Sequence, residues 1–150
     1  MIGRENIVVR FRITSATLTA QEIETRLGVK PEESTKIGDR LGVFGAVEKT
    51  HSFTFVSTPP PSATLDEHIQ SMIKRLAPLA AKIGEFGDAA TVKMVCTIQR
   101  KAIPPIRFGR DDLRWLGVMG AQLEVEVGVI PDAEREALRG AAQKKPGSEF

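Results

Sequence analysis

Two segments of the chain combine charged, polar and aromatic side chains in a way that suits ligand binding. The first, residues 36–45, is rich in glycine and carries Lys36, Asp39 and Arg40. The second, residues 107–115, follows a Pro-Pro bend and carries charges of both signs with the single tryptophan: Arg107, Arg110, Asp111 and Trp115. Arginine and tryptophan are enriched among the anchor residues of protein interfaces. We therefore take these side chains as the candidate binding residues.

The second segment also has a purely structural interpretation. Residues 111–118 predict a short helix, because its leading carboxylates suit the positive N-terminal end of a helix dipole. In that helix Trp115 would pack in the core. Its apolar neighbours at helical spacing would be Leu113, Leu116 and Met119. We favour the core position for Trp115, and the interface anchor is the alternative.

The spacing of the histidines, the cysteine and the glycines gives little support for a metal site or for nucleophilic catalysis. The two histidines, His51 and His68, lie in no motif that gathers three or four ligands, so we expect structural or solvated roles for both. Cys96 alternates with apolar residues, which predicts a core residue rather than an activated thiol. The glycines of residues 36–45 match neither a dinucleotide fingerprint nor a P-loop. We expect no metal and no cofactor, and we lean against an enzyme.

The composition is that of an ordinary globular protein, with 150 residues, 41% of them hydrophobic and 27% charged. A net charge of +2 is too small to indicate nucleic-acid binding. The N-terminal sequence MIGRENIVVRF lacks the apolar run of a signal peptide, and no stretch approaches the ~20 apolar residues of a membrane helix. We therefore expect a cytoplasmic protein with neither nucleic acid nor a membrane as partner.

The longest segment with helical periodicity of its apolar residues is predicted to pack over the strands and cover the core. Residues 64–87 repeat apolar side chains at three- and four-residue steps, which predicts a helix with one buried face. Thr64 and Glu67 have the spacing of a capping box at its start. Pro78 lacks a backbone donor, so we expect a kink or a break near Leu76.

Glycines are predicted to end both early helices. Gly84 and Gly87 would supply left-handed stop positions for the long helix. A shorter helix at residues 20–27 would begin with the capping box of Thr19 and Glu22 and would end at Gly28.

Alternation of apolar and polar residues predicts the strands. The clear cases are residues 7–14, 49–57, 91–100 and 122–130, and residues 35–41 form a weaker extended segment. The element order is then strand, helix, strand, strand, helix, strand, followed by one more helix and strand. The first six elements have the ferredoxin-like order.

These elements predict an α+β fold, in which a ferredoxin-like βαββαβ unit is extended by a C-terminal helix and strand. We expect a mixed or antiparallel sheet with helices on one face and polar side chains on the other, where Arg10 and Arg12 would pair with Glu124 and Glu126. Residues 1–130 would form a single domain. Residues 131–150 would form a weakly structured tail, and its final Gly-Ser-Glu-Phe resembles a cloning scar.

Short motifs along most of the chain carry a family resemblance. They are LTAQEI at residues 18–23, LGVKP at 27–31, KIGD at 36–39, LDEHI at 65–69 and LGVMGAQLEV at 116–125. Over residues 8–129 the chain resembles the uncharacterised bacterial domain-of-unknown-function 4279 family. The chain has Phe53 where that family often has tryptophan in its middle strand. The motifs are caps, turns and core positions. The family has no established activity, so the resemblance implies no functional residue.

Two hypotheses of function remain open at this level. The first is a non-catalytic binding or interaction module that uses its sheet face or edge to bind a protein partner or a second copy as a homodimer. The alternative is a small-ligand sensor or an enzyme with a pocket between residues 36–45 and residues 107–115. An RNA-binding sheet is disfavoured, because the aromatic side chains are expected to face the core and the glutamates of the last strand would repel phosphate.

Overall fold

The computed structural model describes residues 6–40 and 45–129 of the chain. The strands and helices follow one another in the predicted order, and the long helical segment is divided in two. Two short 3₁₀ turns, Ala77–Leu79 and Gly87–Ala89, flank the third helix. The elements are β1 (Asn6–Ser15), α1 (Ala20–Leu27), β2 (Glu33–Thr35), β3 (His51–Val56), α2 (Leu65–Leu76), α3 (Ala80–Gly84), β4 (Thr91–Arg100), α4 (Arg110–Met119) and β5 (Ala121–Val129).

The strands form one mixed sheet in the order β2-β3-β1-β4-β5. β1 pairs antiparallel with both β3 and β4, and β2 pairs antiparallel with β3. β4 and β5 are parallel, so the chain must cross over the sheet between them, and α4 lies in that crossover. The predicted α+β fold with a mixed sheet is confirmed.

The core lies between one face of the sheet and the helices. Along β1 every second residue is buried, while the residues between them, Arg10 and Arg12 among them, are half-buried on the opposite face. Helix α2 packs on β1 and α1 packs on β3. A single cluster of buried side chains contains residues from all four helices and from β1, β3 and β4. This burial pattern places the helices on one face of the sheet, as alternation predicted.

The long helical segment is broken near Leu76, as predicted from Pro78. Helix α2 begins at the Thr64 cap, whose hydroxyl accepts the Glu67 N–H at 3.1 Å, and ends at Leu76. Pro78 has no N–H to continue the α-helical ladder, and a 3₁₀ turn takes its place before α3. Leu76, Ala80 and Ile83 on either side of the break are buried, so the segment still covers one continuous stretch of core.

The prediction of a left-handed stop at Gly84 is wrong, whereas Gly87 does have a positive φ of 52°. Gly84 is instead a position of close helix contact. A Cβ atom built on it would lie 2.5 Å from the Val118 carbonyl oxygen of α4. The missing side chain therefore lets α3 and α4 approach one another, which sequence spacing alone does not reveal.

We expect Gly84→Ala to lower the free energy of unfolding by about 1–3 kcal/mol, because the methyl group must push α3 away from α4. Gly117→Ala is the matched control. It lies within α4, where an added Cβ meets nothing within 4 Å. There alanine should raise the stability by about 0.5–1 kcal/mol through helix propensity. Urea unfolding measures both, and equal effects of the two substitutions would contradict the close contact.

The weak extended segment at residues 35–41 is only partly a strand. β2 covers Glu33–Thr35 and the chain then turns at Gly38, whose φ is +96°. Past the turn, Arg40 and Val47 form an isolated bridge. Glycine permits this left-handed backbone, which ends the strand earlier than alternation predicted. The predicted weakly structured tail at residues 131–150, with its Gly-Ser-Glu-Phe end, lies outside the described residues.

The expected pairing of Arg10 and Arg12 with the glutamates of β5 is wrong. β4 lies between β1 and β5 in the sheet, so those side chains are not on neighbouring strands. Arg10 pairs instead with Glu33 at 3.3 Å, and Lys93 of β4 pairs with Glu124 at 3.5 Å. Both pairs lie on the polar face of the sheet.

Candidate interaction surface

The first group of predicted binding residues lies in the hairpin that joins β2 to β3. The Asp39 carboxylate accepts the Lys36 N–H at 2.9 Å, and the Lys36 carbonyl accepts the Asp39 N–H at 3.0 Å. The Asp39 side chain therefore closes the turn around Gly38, a structural role. Arg40 follows in the isolated bridge with Val47.

The second group lies in the crossover from β4 to β5. Arg107 is exposed before α4, Arg110 and Asp111 lie in its first turn, and Trp115 is half-buried against the core. The three residues expected to pack beside Trp115 in the core differ in burial. Leu116 and Met119 are buried, whereas the prediction of Leu113 in the core is wrong, because Leu113 is exposed on the solvent side of the helix.

The structure places the two groups on separate elements. A cavity of about 550 Å³ at the start of α4 contains two of the predicted residues and none of Lys36, Asp39 and Arg40. Its lining residues are Gln70, Gly109, Arg110, Asp111 and Asp112. The hairpin follows β2, which is separated from β4 by β3 and β1 in the sheet order. A shared pocket between residues 36–45 and 107–115 stays a prediction, and this cavity does not support it.

Asp112 is a buried residue of this region that the binding-residue prediction missed. Its carboxylate accepts the Gly109 N–H at 3.0 Å and the Gln70 side-chain N–H at 3.1 Å. The first bond caps α4 and the second ties α4 to α2. The spacing of three residues between Gly109 and Asp112 is the signal that could have identified the cap.

We expect Asp112→Ala to lower the free energy of unfolding by about 1–3 kcal/mol, because it removes the cap and leaves the Gln70 amide without its acceptor. The control is Asp111→Ala, since Asp111 is exposed in the same helical turn and its ion pair with Arg114 spans 3.8 Å. Its loss should cost well under 1 kcal/mol. Thermal or urea unfolding distinguishes them, and comparable losses would contradict a specific role for Asp112.

Among the polar residues that the structure describes, His68 is the most completely buried, with 1% of its surface exposed. Its Nε2 lies 3.0 Å from the Pro60 carbonyl oxygen, which can only accept, so Nε2 carries the proton. Its Nδ1 then accepts the Ser57 hydroxyl at 2.6 Å. His68 thus fixes the connector of three prolines between β3 and α2, which confirms a structural role.

The Ser57–His68 pair has the components of a nucleophile and a base, but its geometry favours a tether. The Ser57 hydroxyl oxygen also accepts the Val9 N–H at 2.9 Å, and the Ser57 N–H donates to the Val9 carbonyl at 2.8 Å. Both bonds extend the β1–β3 pairing by one residue. Since the Ser57 oxygen is held as an acceptor at the end of the β1–β3 pairing, in the interior of the sheet, it is poorly placed to attack a substrate.

A cavity of about 370 Å³ lies beside this tether, between the end of β3 and α2. Arg75, one of its lining residues, already forms two hydrogen bonds with the Glu32 carboxylate and stacks over the Phe55 ring at 4.2 Å. The hydrogen bonds from Arg75 hold the pKa of Glu32 below its usual value. One of the two basic side chains at the cavity, Arg75, is therefore committed to packing α2 against the segment before β2.

Burial lowers the pKa of His68 from its usual value of 6.5. The unfolded chain then binds a proton that the folded chain does not. The stabilising contribution of the neutral His68 side chain is present above pH 6.5. It is lost as the pH falls toward the pKa that His68 has in the folded chain.

We expect the free energy of unfolding to decrease between about pH 7 and pH 5.5, by at most about 1.4 kcal/mol per pH unit. The variant His68→Gln should lack this dependence, and His51→Gln should retain it. Urea unfolding across this range measures the slope, and a slope that persists in His68→Gln would contradict the assignment.

Cys96 is confirmed as a core residue of β4, with its side chain fully buried. Desolvation raises the pKa of its thiol to about 12, so it is not a reactive thiolate near neutral pH. Within residues 6–40 and 45–129, no three histidine, cysteine, aspartate or glutamate side chains cluster as a metal site would require. Across the same residues, no helix has the length and apolar character needed to traverse a membrane.

The outer edge of β5 is the surface that the binding-residue prediction did not include. β5 is nine residues long and stands at the end of the sheet order, and no other strand among the described residues pairs with its outer side. Its apolar side chains face the core side, because they lie opposite the buried Met94, Cys96 and Ile98 of β4. Even so, Leu123, Val127 and Val129 are 37%, 48% and 58% exposed.

An open strand edge of this kind presents unpaired backbone N–H and C=O groups, so another extended chain can add to the sheet there. The opposite edge is different. β2 has only three residues and continues into the turn at Gly38, so it offers little length for pairing. Of the two edge strands that the structure describes, β5 therefore offers the longer open edge.

A comparison with known families identifies the domain. The family described as a domain of unknown function (DUF4279) matches residues 5–129. The chain belongs to this family. The DUF4279 match spans every helix and strand of the structure, so α4 and the open strand β5 are parts of the family domain. No curated protein matches the chain, and no solved structure does.

Proposed function

We propose that this DUF4279 chain is a non-catalytic protein-binding module that takes an extended segment of a partner along the outer edge of β5. The observation that carries the proposal is the open edge of a nine-residue strand beside exposed Leu123, Val127 and Val129. Binding by strand addition draws affinity from main-chain hydrogen bonds and specificity from alternate side chains.

The polar groups elsewhere in the domain support binding over catalysis. The Ser57–His68 pair is held in the sheet, Asp112 caps a helix, and Asp39 closes a turn. Each of these groups makes at least one hydrogen bond within the fold. A small-ligand sensor or enzyme with a pocket between residues 36–45 and 107–115 remains the alternative hypothesis.

Two further expectations accompany this proposal. The order β2-β3-β1-β4 with antiparallel neighbours supports the ferredoxin-like interpretation of the first six elements. A bacterial origin and a cytoplasmic location stay predictions.

Selection from a library of displayed random peptides tests the proposed edge. We expect selected peptides to bind the wild-type domain and to lose at least about tenfold in affinity for Val127→Arg, because a bulky charge then disrupts the apolar side of the edge. Val47→Arg is the matched control, since Val47 is 45% exposed against 48% for Val127 and lies in the β2–β3 hairpin. Selected peptides that are insensitive to Val127→Arg would rule out the β5 edge as the binding element.

A further inference from the structure

We infer that the segment bound along β5 alternates basic and apolar residues, and that it belongs to another protein rather than to a second copy of this chain. This inference rests on the proposed function and names the chemistry of the partner. It follows from the different character of the two faces of β5 and from the arrangement of its glutamates.

The two faces of β5 carry opposite kinds of side chain. Glu124 and Glu126 lie on the polar face of the sheet, and Leu123, Val125 and Val127 lie on the core side. Side chains on an added strand also alternate between these faces. A complementary strand therefore places its polar residues beside the glutamates and its apolar residues beside the leucine and valines.

The charge on the polar face is available to a partner. Glu124 has one basic neighbour, Lys93, at a distance of 3.5 Å. Glu126 lies opposite Thr97 of β4 and makes no ion pair with any described residue. Cross-strand pairs of opposite charge are stabilising, so lysine or arginine opposite these positions would favour binding.

A second copy of the chain fits this edge poorly. Antiparallel pairing centred on Val125 would use all of Ala121–Val129 and would place Glu124 of one copy opposite Glu126 of the other. A shift of the centre by one residue places a glutamate opposite its own counterpart. Like charges directly opposite one another destabilise a strand pair. The glutamates thus act against self-pairing while they favour a basic strand.

Synthetic peptides of about ten residues, the length of a long strand, test this inference directly. In the first peptide lysine alternates with valine, and in the second glutamate alternates with valine. A third has the composition of the first in scrambled order. We expect the alternating lysine peptide to bind about tenfold more tightly than either of the others. Methylation of the alternate backbone nitrogens that face β5 in the alternating lysine peptide should abolish binding, because these N–H groups donate the hydrogen bonds between the two strands.

Charge reversal in the protein provides the matched test. The double variant Glu124→Lys, Glu126→Lys should prefer the glutamate peptide over the lysine peptide. The control variant is Glu85→Lys, which changes an exposed glutamate at the end of α3 and should keep the wild-type preference. Far-UV circular dichroism and the unfolding midpoint show that each variant is folded.

The remaining outcomes separate the inference from the function it rests on. Peptides that bind the β5 edge regardless of their charge would overturn the inference and leave the proposed function standing. A dimer in light scattering that Val127→Arg dissociates would assign the edge to a second copy and overturn the inference. Peptide binding that requires removal of residues 131–150 would assign the edge to the chain's own C-terminal segment, and the inference would also fail. Failure of both the random library and the designed peptides at this edge would overturn the proposed function itself.

Discussion

The parallel pairing of β4 with β5 is the constraint from which the proposed binding surface follows. Parallel neighbours require a crossover, and here the crossover consists of residues 101–109 and α4. The crossover places α4 beside α3 and against β5, so the second group of predicted binding residues lies on the helical side. It also makes β5 the outermost strand. The same connection therefore buries part of α4 and leaves one long strand edge open.

Polar side chains of this domain, some buried and some exposed, act as tethers between elements. His68 holds the proline connector, Asp112 joins α4 to α2, and the Glu32–Arg75 pair joins α2 to the segment before β2. Each tether fixes a connection that the apolar core does not fix by itself. Because burying a polar group without a partner costs about 1–3 kcal/mol, the hydrogen bonds of the buried His68 and Asp112 stabilise the fold.

Much of this architecture could be predicted from the sequence. Alternation identified β1, β3, β4 and β5, and the capping boxes identified where α1 and α2 begin. Pro78 located the break after α2, because the loss of a backbone donor is a local effect. These features depend on residues close together in the chain, so their spacing is visible in the sequence.

The features that could not be predicted depend on contacts between distant segments. The contact of Gly84 with the Val118 carbonyl requires the packing of α3 on α4, and the partners of Arg10 and Lys93 require the order of the strands. Similarly, alternation in β5 showed two faces but could not show that its outer edge has no neighbour among the described strands. The sequence hypothesis named a sheet face or edge without naming a strand, and the predicted binding residues were charged clusters elsewhere.

Hydrogen exchange of the β5 backbone amides, followed by NMR, is the most direct test of the open edge. In the free protein, alternate amides of Ala121–Val129 should exchange rapidly, because those N–H groups point away from β4, and the intervening amides should be protected by the β4 pairing. The alternating lysine–valine peptide should then slow the exposed set. Uniform protection along β5 in the free protein would show that the edge is already paired and would contradict the account.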